Sequence, residues 1–270
     1  MQNFDKRPIG VFDSGMGGLT TVRQLTKLLP NEDIIYLGDT ARLPYGNKSK
    51  NAVIRFSIQN ALYLLKFNVK LIIVACNTSS SLAINNLKKS FKVPIIDVIE
   101  PGIKKALAVT GNNRIGIIGT NATIDSNAYQ KKILKICPSV KIFAKSCPLF
   151  VPLVEEGWLN NKIAESVVKE YLMPFKNKEI DTLVLGCTHY PLLKAAIKKV
   201  MGSSVNLVDS ARQVAADARA LLNRMQLNSN KKAKAHLRFF LTDKPYKFQA
   251  IGSKFLGQNL TSVKEIKDLD

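Results

Sequence analysis

The sequence predicts an α/β protein of two similar domains, each with a parallel-type sheet flanked by helices. We expect a pseudo-twofold axis to relate the domains, with the functional site in the cleft between them. Three observations predict this fold. Short apolar runs alternate with helix-length amphipathic segments, the second half of the chain repeats the pattern of the first, and the apolar runs end in polar or glycine residues.

In the first half, the apolar runs have the length and continuity of strands that are buried on both faces of a parallel sheet. They read PIGVF, DIIYLG, KLIIVA and VPIIDV. Helices are predicted over residues 18–29, 50–67 and 79–91, each after one of the first three runs. This alternation indicates successive β-α-β units.

The second half repeats the arrangement with RIGIIG, VKIFAK, DTLVLG and VNLVDS. Ile9 of IGVFDSG corresponds to Ile115 of IGIIGTN, and Cys76 corresponds to Cys187. The stretch IIYLGDTARLPYG occupies the place that VKIFAKSCPLFVPLVEEG has in the second copy. We therefore predict a first domain of residues 1–98 and 209–270 and a second of residues 99–208, so that LRFFLT returns to the first domain.

The strand ends predict where a ligand would bind, since open parallel sheets hold ligands beyond the carboxyl ends of their strands. We expect all of these ends to line one cleft. They are Asp13-Ser14, Asp39-Thr40, Cys76-Asn77-Thr78, Gly119-Thr120 and Cys187-Thr188-His189.

Composition places the chain among ordinary globular proteins, with 46% hydrophobic and 22% charged residues in 270. The N-terminal stretch MQNFDKRPIG has no signal-peptide pattern and the apolar runs are too short to span a membrane, so we expect a cytoplasmic protein. The four cysteines form no C-x-x-C pair, which favours free thiols in a reducing compartment.

The formal net charge of +20 raises the question of a nucleic-acid partner. The basic residues are mostly lysines spread along the whole chain, with only short clusters such as NKKAKAHLR. Specific readers of nucleic acid concentrate arginine and aromatic residues on one element. We therefore expect a solvated lysine-rich surface, with weak binding of polyanions as the alternative.

Two stretches share an unusual design in which an apolar run ends in a cysteine followed by polar residues. They are LIIVACNTSSS, with Cys76, and TLVLGCTHYPLL, with Cys187. A helix N-terminus after each cysteine is expected to lower its thiol pKa toward neutrality, and the amide and hydroxyl groups suit a carboxylate or ammonium. Cys137 and Cys147 are interpreted as small buried apolar residues.

Other site types fit less well. DSGMGGLT fails the dinucleotide pattern G-x-G-x-x-G because Thr20 stands at the third glycine position, and PYGNKS lacks the Gly-Lys of a phosphate loop. The glycines are expected instead to bring backbone N–H groups toward a small carboxylate.

A zinc site made of Cys76, Cys187 and His189 lacks a fourth ligand, and a cysteine hydrolase would use only one thiol. Two equivalent acid/base groups on opposite sides of a cleft favour another reaction. One group removes a proton from carbon and the other returns a proton on the opposite face, which is racemisation.

At this point the chain resembles the glutamate racemases of the cofactor-independent aspartate/glutamate racemase superfamily. The matching motifs are spread in order from Ile9 to Ala211. They are IGVFDSGMGGLT, GDTARLPYG, ACNTSS, FVPLVEEGW, LGCTHYPLL and VDSA.

This resemblance implies an isomerase that interconverts L-glutamate and D-glutamate without cofactor or metal and supplies D-glutamate for peptidoglycan, hence for cell-wall biogenesis and cell shape. Cys76 and Cys187 would be the acid/base thiols, with Asp13 assisting Cys76, and with Glu155 and His189 assisting Cys187. Substrate contacts would come from Asp13, Ser14, Tyr45, Gly46, Asn77, Thr78, Thr188 and His189.

The expected partners are the small-molecule substrate, L- or D-glutamate, and a second copy of the chain in a homodimer, with no membrane and no specific nucleic acid. A racemase of a related acidic amino acid such as aspartate, or a non-catalytic polyanion-binding role, remains the alternative.

Overall fold

The computed structural model describes residues 5–229, 235–244, 247–260, 262–267 and 269. The strands are β1 Ile9–Asp13, β2 Ile34–Gly38, β3 Leu71–Val74, β4 Ile95–Asp97, β5 Arg114–Gly119, β6 Lys141–Ser146, β7 Thr182–Gly186, β8 Asn206–Val208, β9 Leu237–Leu241 and β10 Val263–Glu265. The first six helices are α1 Leu19–Leu28, α2 Lys50–Leu65, α3 Asn77–Leu82, α4 Ile84–Ser90, α5 Ile99–Val109 and α6 Asn121–Asp125. The others are α7 Ala128–Ile136, α8 Phe150–Glu155, α9 Lys162–Lys176, α10 Lys194–Met201, α11 Ala211–Arg224 and α12 Phe248–Leu256. Single turns of 3-10 helix lie at Thr40–Arg42, Tyr45–Asn47 and Tyr190–Leu193.

Two parallel sheets form the framework of the described part of the chain. The six-stranded sheet has the order β10-β9-β2-β1-β3-β4 and the four-stranded sheet the order β6-β5-β7-β8. Every pair of neighbouring strands is parallel. The central strands β1 and β7 are buried along their whole length, as expected for strands covered by helices on both faces. The predicted α/β fold with two parallel sheets is confirmed.

The same strand order occurs twice. In the first sheet the sequence β2-β1-β3-β4 corresponds to β6-β5-β7-β8 in the second. Ile9 of β1 pairs with Leu71 of β3, and Ile115 of β5 pairs with Thr182 of β7. As a result Cys76 and Cys187 each follow the strand that lies beside the first strand of its sheet.

The C-terminal part of the chain adds two strands to the first sheet. Strand β9 runs parallel to β2, with Leu237 opposite Ile34, and β10 pairs with β9 at the sheet edge. Helices α11 and α12 pack against α1 on the same side of the molecule. Residues 230–234 of the basic cluster NKKAKAHLR lie outside the described residues.

The helix predicted over residues 79–91 is wrong, because the structure divides this segment into α3 and α4 with a break at Ala83. Serine hydroxyls next to the break bond to the backbone. Ser80 Oγ donates to the carbonyl of Val74 at 3.1 Å, and Ser81 Oγ donates to the carbonyl of Thr78 at 2.9 Å. Such bonds compete with regular helix formation and shorten α3.

The hydrophobic core is continuous between the two sheets. Its largest cluster of buried side chains contains residues of the first sheet, such as Val11 and Ile73, and residues of the second, such as Ile118 and Leu185. The two halves are therefore packed together behind the strand ends. In the described part of the chain, no helix is both long enough and apolar enough to cross a membrane.

A buried ion pair fixes the amino ends of the strands in the first sheet. Lys70 Nζ lies 2.6 Å from Glu32 Oε2, and the two side chains are 0% and 3% exposed. The same ammonium donates to the carbonyl oxygens of Asp5 at 2.9 Å and Leu227 at 2.6 Å. Glu32 Oε1 accepts from the backbone N–H of Ser229 at 2.7 Å. This pair therefore joins four separate segments directly before β3.

We predict that Lys70→Met lowers the free energy of unfolding by about 3–5 kcal/mol, because it leaves the Glu32 carboxylate buried without its counter-charge. Adding Glu32→Gln should recover a large part of the loss, since the amide oxygen still accepts from Ser229. Urea unfolding at neutral pH measures both effects.

The exposed pair of Lys199 and Glu165, 2.7 Å apart, provides the matched control. Lys199→Met should cost less than about 1 kcal/mol, as surface pairs do. Equal losses for Lys70→Met and Lys199→Met would contradict the role assigned to the buried pair.

Candidate active site

The carboxyl ends of β1, β3, β5 and β7 meet at a narrow cleft between the two sheets. It is lined by Ser14, Leu43, Pro44, Tyr45, Gly46, Cys76, Asn77, Thr78, Thr120, Val151, Cys187, Thr188 and His189. The free volume among these residues is about 20 Å³. A space of this size admits a single water molecule and not an amino acid. The structure therefore shows the cleft in a closed state.

Cys76 lies on the first-sheet side of the cleft, where it caps the N-terminus of α3. Its sulfur accepts from the backbone N–H of Ser79 at 3.5 Å and contacts the hydroxyl of Ser14 at 3.5 Å, and the residue is 4% exposed. Burial, and after it the charge of Asp13, raise the pKa of the thiol to about 11, and the bonds to Ser14 and Ser79 only partly oppose this rise. The expected lowering of the Cys76 pKa is therefore wrong: burial and a neighbouring carboxylate outweigh one short helix.

Cys187 lies on the opposite side of the cleft and begins a chain of polar contacts. Its sulfur is 3.9 Å from His189 Nδ1, and His189 Nε2 is 3.2 Å from Glu155 Oε1 at the end of α8. Burial alone would lower the pKa of His189, but the bonds to Cys187 and Glu155, together with their negative charges, raise it to about 10. These neighbours therefore favour the protonated imidazole.

Asp13 lies behind the cleft and does not line it. Its side chain is fully buried, accepts from the backbone N–H of Gly15 at 3.1 Å, and lies 3.4 Å from the hydroxyl of Thr188. Burial raises the Asp13 pKa, while the charge of His189 and backbone N–H groups of the glycine turn lower it. The turn predicted to bind a ligand carboxylate therefore directs these N–H groups at the protein's own carboxylate.

Two glycines of this turn are required by close packing, Gly17 across the cleft and Gly18 within the first half. A Cβ on Gly17 would lie 2.3 Å from Thr188 Oγ1 and 2.9 Å from His189 Nδ1. A Cβ on Gly18 would lie 2.6 Å from the Cβ of Asp13. Only glycine allows the first loop to approach the second cysteine loop this closely.

Asn77 and Thr78 follow Cys76 and contact the second half of the chain. The hydroxyl of Tyr129 donates to Asn77 Oδ1 at 2.7 Å. The hydroxyl of Thr78 lies 2.9 Å from that of Thr120 and 3.2 Å from that of Thr123. A compact group of three threonine hydroxyls thus lies at the cleft beside the amide.

The strand end Asp39-Thr40 is not at the cleft, contrary to the expectation that every strand end would line it. The Asp39 carboxylate is buried and bonded to Arg42 and to the hydroxyl of Tyr45. Tyr45 therefore offers its ring and backbone to the cleft rather than its hydroxyl. Gly46 packs against Thr120, where a Cβ would lie 2.6 Å from that of the threonine.

Of the residues predicted for the site, all except Asp13 and Glu155 line the cleft, and these two contact residues that do. Thr120, which follows β5 and corresponds to Ser14 in the internal repeat, lines the cleft as expected for the strand end Gly119-Thr120, but it was not predicted as a substrate contact. Tyr129 and Thr123 lie on helices and carry no comparable signal. Among the described residues, no group of three or more His, Cys, Asp or Glu side chains could hold a metal ion.

We predict that His189 makes stability depend on pH. An unfolded histidine deprotonates near its ordinary pKa of 6.5 and the folded one near 10. Between these values the folded chain binds the additional proton, so this contribution to the free energy of unfolding falls as pH rises. The free energy of unfolding of wild type should exceed that of His189→Asn by the largest amount below the unfolded pKa of 6.5. This difference should shrink as the pH rises from 6.5 to about 10.

Urea unfolding of both proteins across the pH range measures this difference. His236→Asn, at the exposed second histidine, is the matched control for the loss of an imidazole away from the cleft. A difference between wild type and His189→Asn that stays constant with pH would contradict the assignment.

Comparison with known proteins places these motifs in a family. Residues 18–218 match the family described as Asp/Glu/Hydantoin racemase. A glutamate racemase of Syntrophus aciditrophicus (strain SB) is 46% identical over 260 residues, which cover 96% of this chain and 96% of that protein. One from Neisseria meningitidis serogroup A is 47% identical over 268 residues, which cover 98% and 99%.

A similar solved structure is that of glutamate racemase from Francisella tularensis subsp. tularensis SCHU S4 in complex with D-glutamate. It aligns with a TM-score of 0.91 at 44% sequence identity and covers 98% of this chain and 99% of that one.

Proposed function

Because the chain belongs to the Asp/Glu/Hydantoin racemase family, we propose that it is an isomerase that interconverts L-glutamate and D-glutamate by proton transfer between two cysteines. Similarity to glutamate racemases over almost the whole chain supports the substrate. One observation carries the mechanism. Cys76 and Cys187 follow equivalent strands of two sheets with the same strand order and line one cleft from its two halves.

In the proposed reaction the α-carbon of glutamate lies between the two sulfurs. The thiolate on one side takes the α-proton and becomes a thiol, which leaves the electron pair on carbon. The thiol on the opposite side then gives its proton to the other face and becomes the thiolate. The configuration is inverted, and no net proton is gained or lost.

The charges around the two sulfurs suit them to different starting roles. Cys76, buried beside Asp13, is a neutral thiol at neutral pH and can act as the acid. The cationic His189, held by Glu155, stabilises negative charge on Cys187. The proposed starting roles are therefore Cys187 as the base and Cys76 as the acid. The reverse direction requires the proton to move to Cys187.

Donors at the cleft can stabilise the charges of the substrate and of the carbanion. The amide of Asn77 and the hydroxyls of Thr78, Thr120 and Thr188 are available there. Because the closed cleft excludes bulk water, oriented donors of this kind stabilise developing charge more strongly than solvent does. The cleft must open to admit glutamate and close before the proton transfer.

The proposal extends to the setting of the reaction. D-Glutamate made by the enzyme would be used for peptidoglycan synthesis in the cytoplasm, and the enzyme would act as a homodimer. These points come from the family resemblance.

The direct test incubates the purified protein with L-glutamate or D-glutamate in deuterated water. Loss of optical rotation, with deuterium entering the α-position from either enantiomer, is expected. Activity should persist after dialysis against a chelator. Aspartate, supplied in parallel, should exchange much more slowly. Binding of glutamate without α-proton exchange would contradict the proposed function, and faster exchange with aspartate would reassign the substrate.

We predict that Cys76→Ser and Cys187→Ser each reduce racemisation by about 10² to 10⁴-fold, the usual contribution of one positioned acid or base. Each variant should still eliminate a leaving group from one enantiomer of a β-substituted glutamate, because elimination needs only the remaining base. Cys137→Ser, outside the cleft, should behave like wild type. Racemisation at the wild-type rate by either cleft variant would exclude the two-thiol mechanism.

A further prediction concerns which neighbour assists which sulfur. Enantiomers have equal free energy in water, so kcat/KM must remain equal in both directions for every variant, and directional damage can appear only in kcat and KM together. If Asp13 assists Cys76 in attacking D-glutamate, Asp13→Asn should lower kcat mainly from that enantiomer. His189→Asn should lower kcat mainly from L-glutamate.

Progress curves from both enantiomers, with and without α-deuterium, measure which proton transfer each substitution slows. Equal losses of kcat in the two directions for both variants, with unchanged isotope effects, would reject it.

A further inference from the structure

Tyr129 contacts both loops that carry the cleft cysteines, although it is not among the residues that line the cleft. It lies on α7 in the second half of the chain and is 1% exposed. Its hydroxyl donates at 2.7 Å to Asn77 Oδ1, on the residue that follows Cys76. Its ring packs against Gly186, which precedes Cys187, so that a Cβ there would lie 3.4 Å from Tyr129 Cε2. A single side chain thus contacts the neighbours of both sulfurs.

The hydroxyl of Tyr129 keeps its proton and therefore always has a hydrogen bond to donate. Burial raises its pKa far above the ordinary value, and the charges of Asp97 and Cys187 raise it further. Among the described residues, Asn77 Oδ1 is the acceptor that the structure gives for this proton. If the Asn77 amide were flipped, the buried hydroxyl proton would lose this acceptor, which is costly. The tyrosine therefore selects the amide orientation in which Oδ1 points to α7.

In this orientation the NH₂ group of Asn77, which lies in the same plane as Oδ1, points away from the hydroxyl of Tyr129. Asn77 is 4% exposed, and it lines the cleft. An amide that presents NH₂ donates to a carboxylate, whereas the flipped amide would present an oxygen and repel it. The direction of one hydroxyl in the second half thus decides whether the first half attracts or repels an anionic substrate group.

A second contact on the same face of α7 holds Tyr129 in place. Lys132, three residues further along the helix, lies 3.8 Å from the buried carboxylate of Asp97 at the end of β4. Lys88 of α4 lies 3.9 Å from the same carboxylate. Residues three apart face the same side of a helix, so Tyr129 and Lys132 anchor α7 to the first half at two points.

We propose that Tyr129 is a positioning residue that orients the Asn77 amide so that its NH₂ group binds a carboxylate of the substrate. The inference rests on the proposed function, which assigns Asn77 to substrate binding. Tyr129 does not touch the substrate and acts through Asn77 alone.

The test is a double-mutant cycle with Tyr129→Phe and Asn77→Ala, measured as initial rates from both enantiomers of glutamate. Tyr129→Phe keeps the ring and its packing and removes only the hydroxyl. A lost substrate contact that is equal in the ground and transition states raises KM and leaves kcat unchanged. We expect Tyr129→Phe to raise KM about tenfold in both directions, the scale of one hydrogen bond to a charged group.

In the Asn77→Ala background the same substitution should have no further effect on KM, because the group that Tyr129 orients is gone. An equal increase in KM in both backgrounds would overturn the inference, since it would show that Tyr129 acts independently of Asn77. A KM of Tyr129→Phe that equals the wild-type value would overturn it as well.

Tyr190→Phe is the matched control for loss of a buried hydroxyl. Tyr190 is 0% exposed, and its hydroxyl donates to the carbonyl of Cys147 at 2.9 Å, within the second half. Both Tyr→Phe variants should lose similar amounts of thermal stability, whereas only Tyr129→Phe should raise KM. A similar increase in KM for both would assign the effect to general loosening and overturn the inference.

The cycle also distinguishes failure of the proposed function from failure of the role assigned to Tyr129. Absence of α-proton exchange in wild type would refute the proposed function itself. Exchange in wild type, with Asn77→Ala impaired and Tyr129→Phe unimpaired, would leave the proposed function standing and overturn the role of Tyr129 alone.

Discussion

The site depends on the parallel direction of all strands in both sheets. Parallel strands end at the same edge, so every loop that follows a strand emerges at that edge. The order β2-β1-β3-β4 in the first sheet corresponds to β6-β5-β7-β8 in the second. The loop after β3 and the loop after β7 therefore occupy equivalent places. These two loops carry Cys76 and Cys187. The topology thus gives the two cysteines equivalent places in their sheets, and the packing of the two halves brings them to one cleft.

The equivalence of the two loops is geometric and not electrostatic. Cys76 has a carboxylate as its charged neighbour, because Asp13 ends the adjacent strand β1. In the second repeat the corresponding strand β5 ends in Gly119, and the charged neighbour of Cys187 is the imidazolium of His189. One sulfur is therefore biased toward the neutral thiol while the other faces a positive charge. Such a bias suits a pair of thiols that the proposed mechanism uses in turn as base and acid.

Most of the strands could be predicted because they coincide with short apolar runs, a pattern that is local in the sequence. Features that depend on contacts between remote segments could not be predicted. The break at Ala83 requires Ser80 to bond to the end of β3, and the inward turn of Asp39 requires Arg42 and Tyr45 to bond to its carboxylate. Cys76 was predicted to have a lowered pKa because its helix is visible in the sequence.

The burial of Cys76 and the nearby carboxylate of Asp13 are not visible in the sequence. Most residues at the cleft were nevertheless found, because they directly follow strands. Tyr129 was missed because it reaches the site from the middle of a helical segment.

The position of Cys76 is fixed from both ends of a very short strand. Strand β3 has only four residues, Leu71–Val74, and its pairing with β1 places Leu71 opposite Ile9. Directly before it, Lys70 is bonded to Glu32 and to two backbone carbonyls. Directly after it, the Cys76 sulfur is held by Ser14 and Ser79. With so few residues between the two anchors, the strand cannot slide without breaking the buried ion pair.

A cleft that must open to admit its substrate therefore cannot do so by shifting the loop that carries Cys76. Opening that keeps both anchors is a relative movement of the two halves. Tyr129 and Lys132 belong to the second half, so such a movement would break the contact between the hydroxyl of Tyr129 and Asn77. Tyr129 would then orient the amide of Asn77 only in the closed state, the state in which we propose that the proton is transferred.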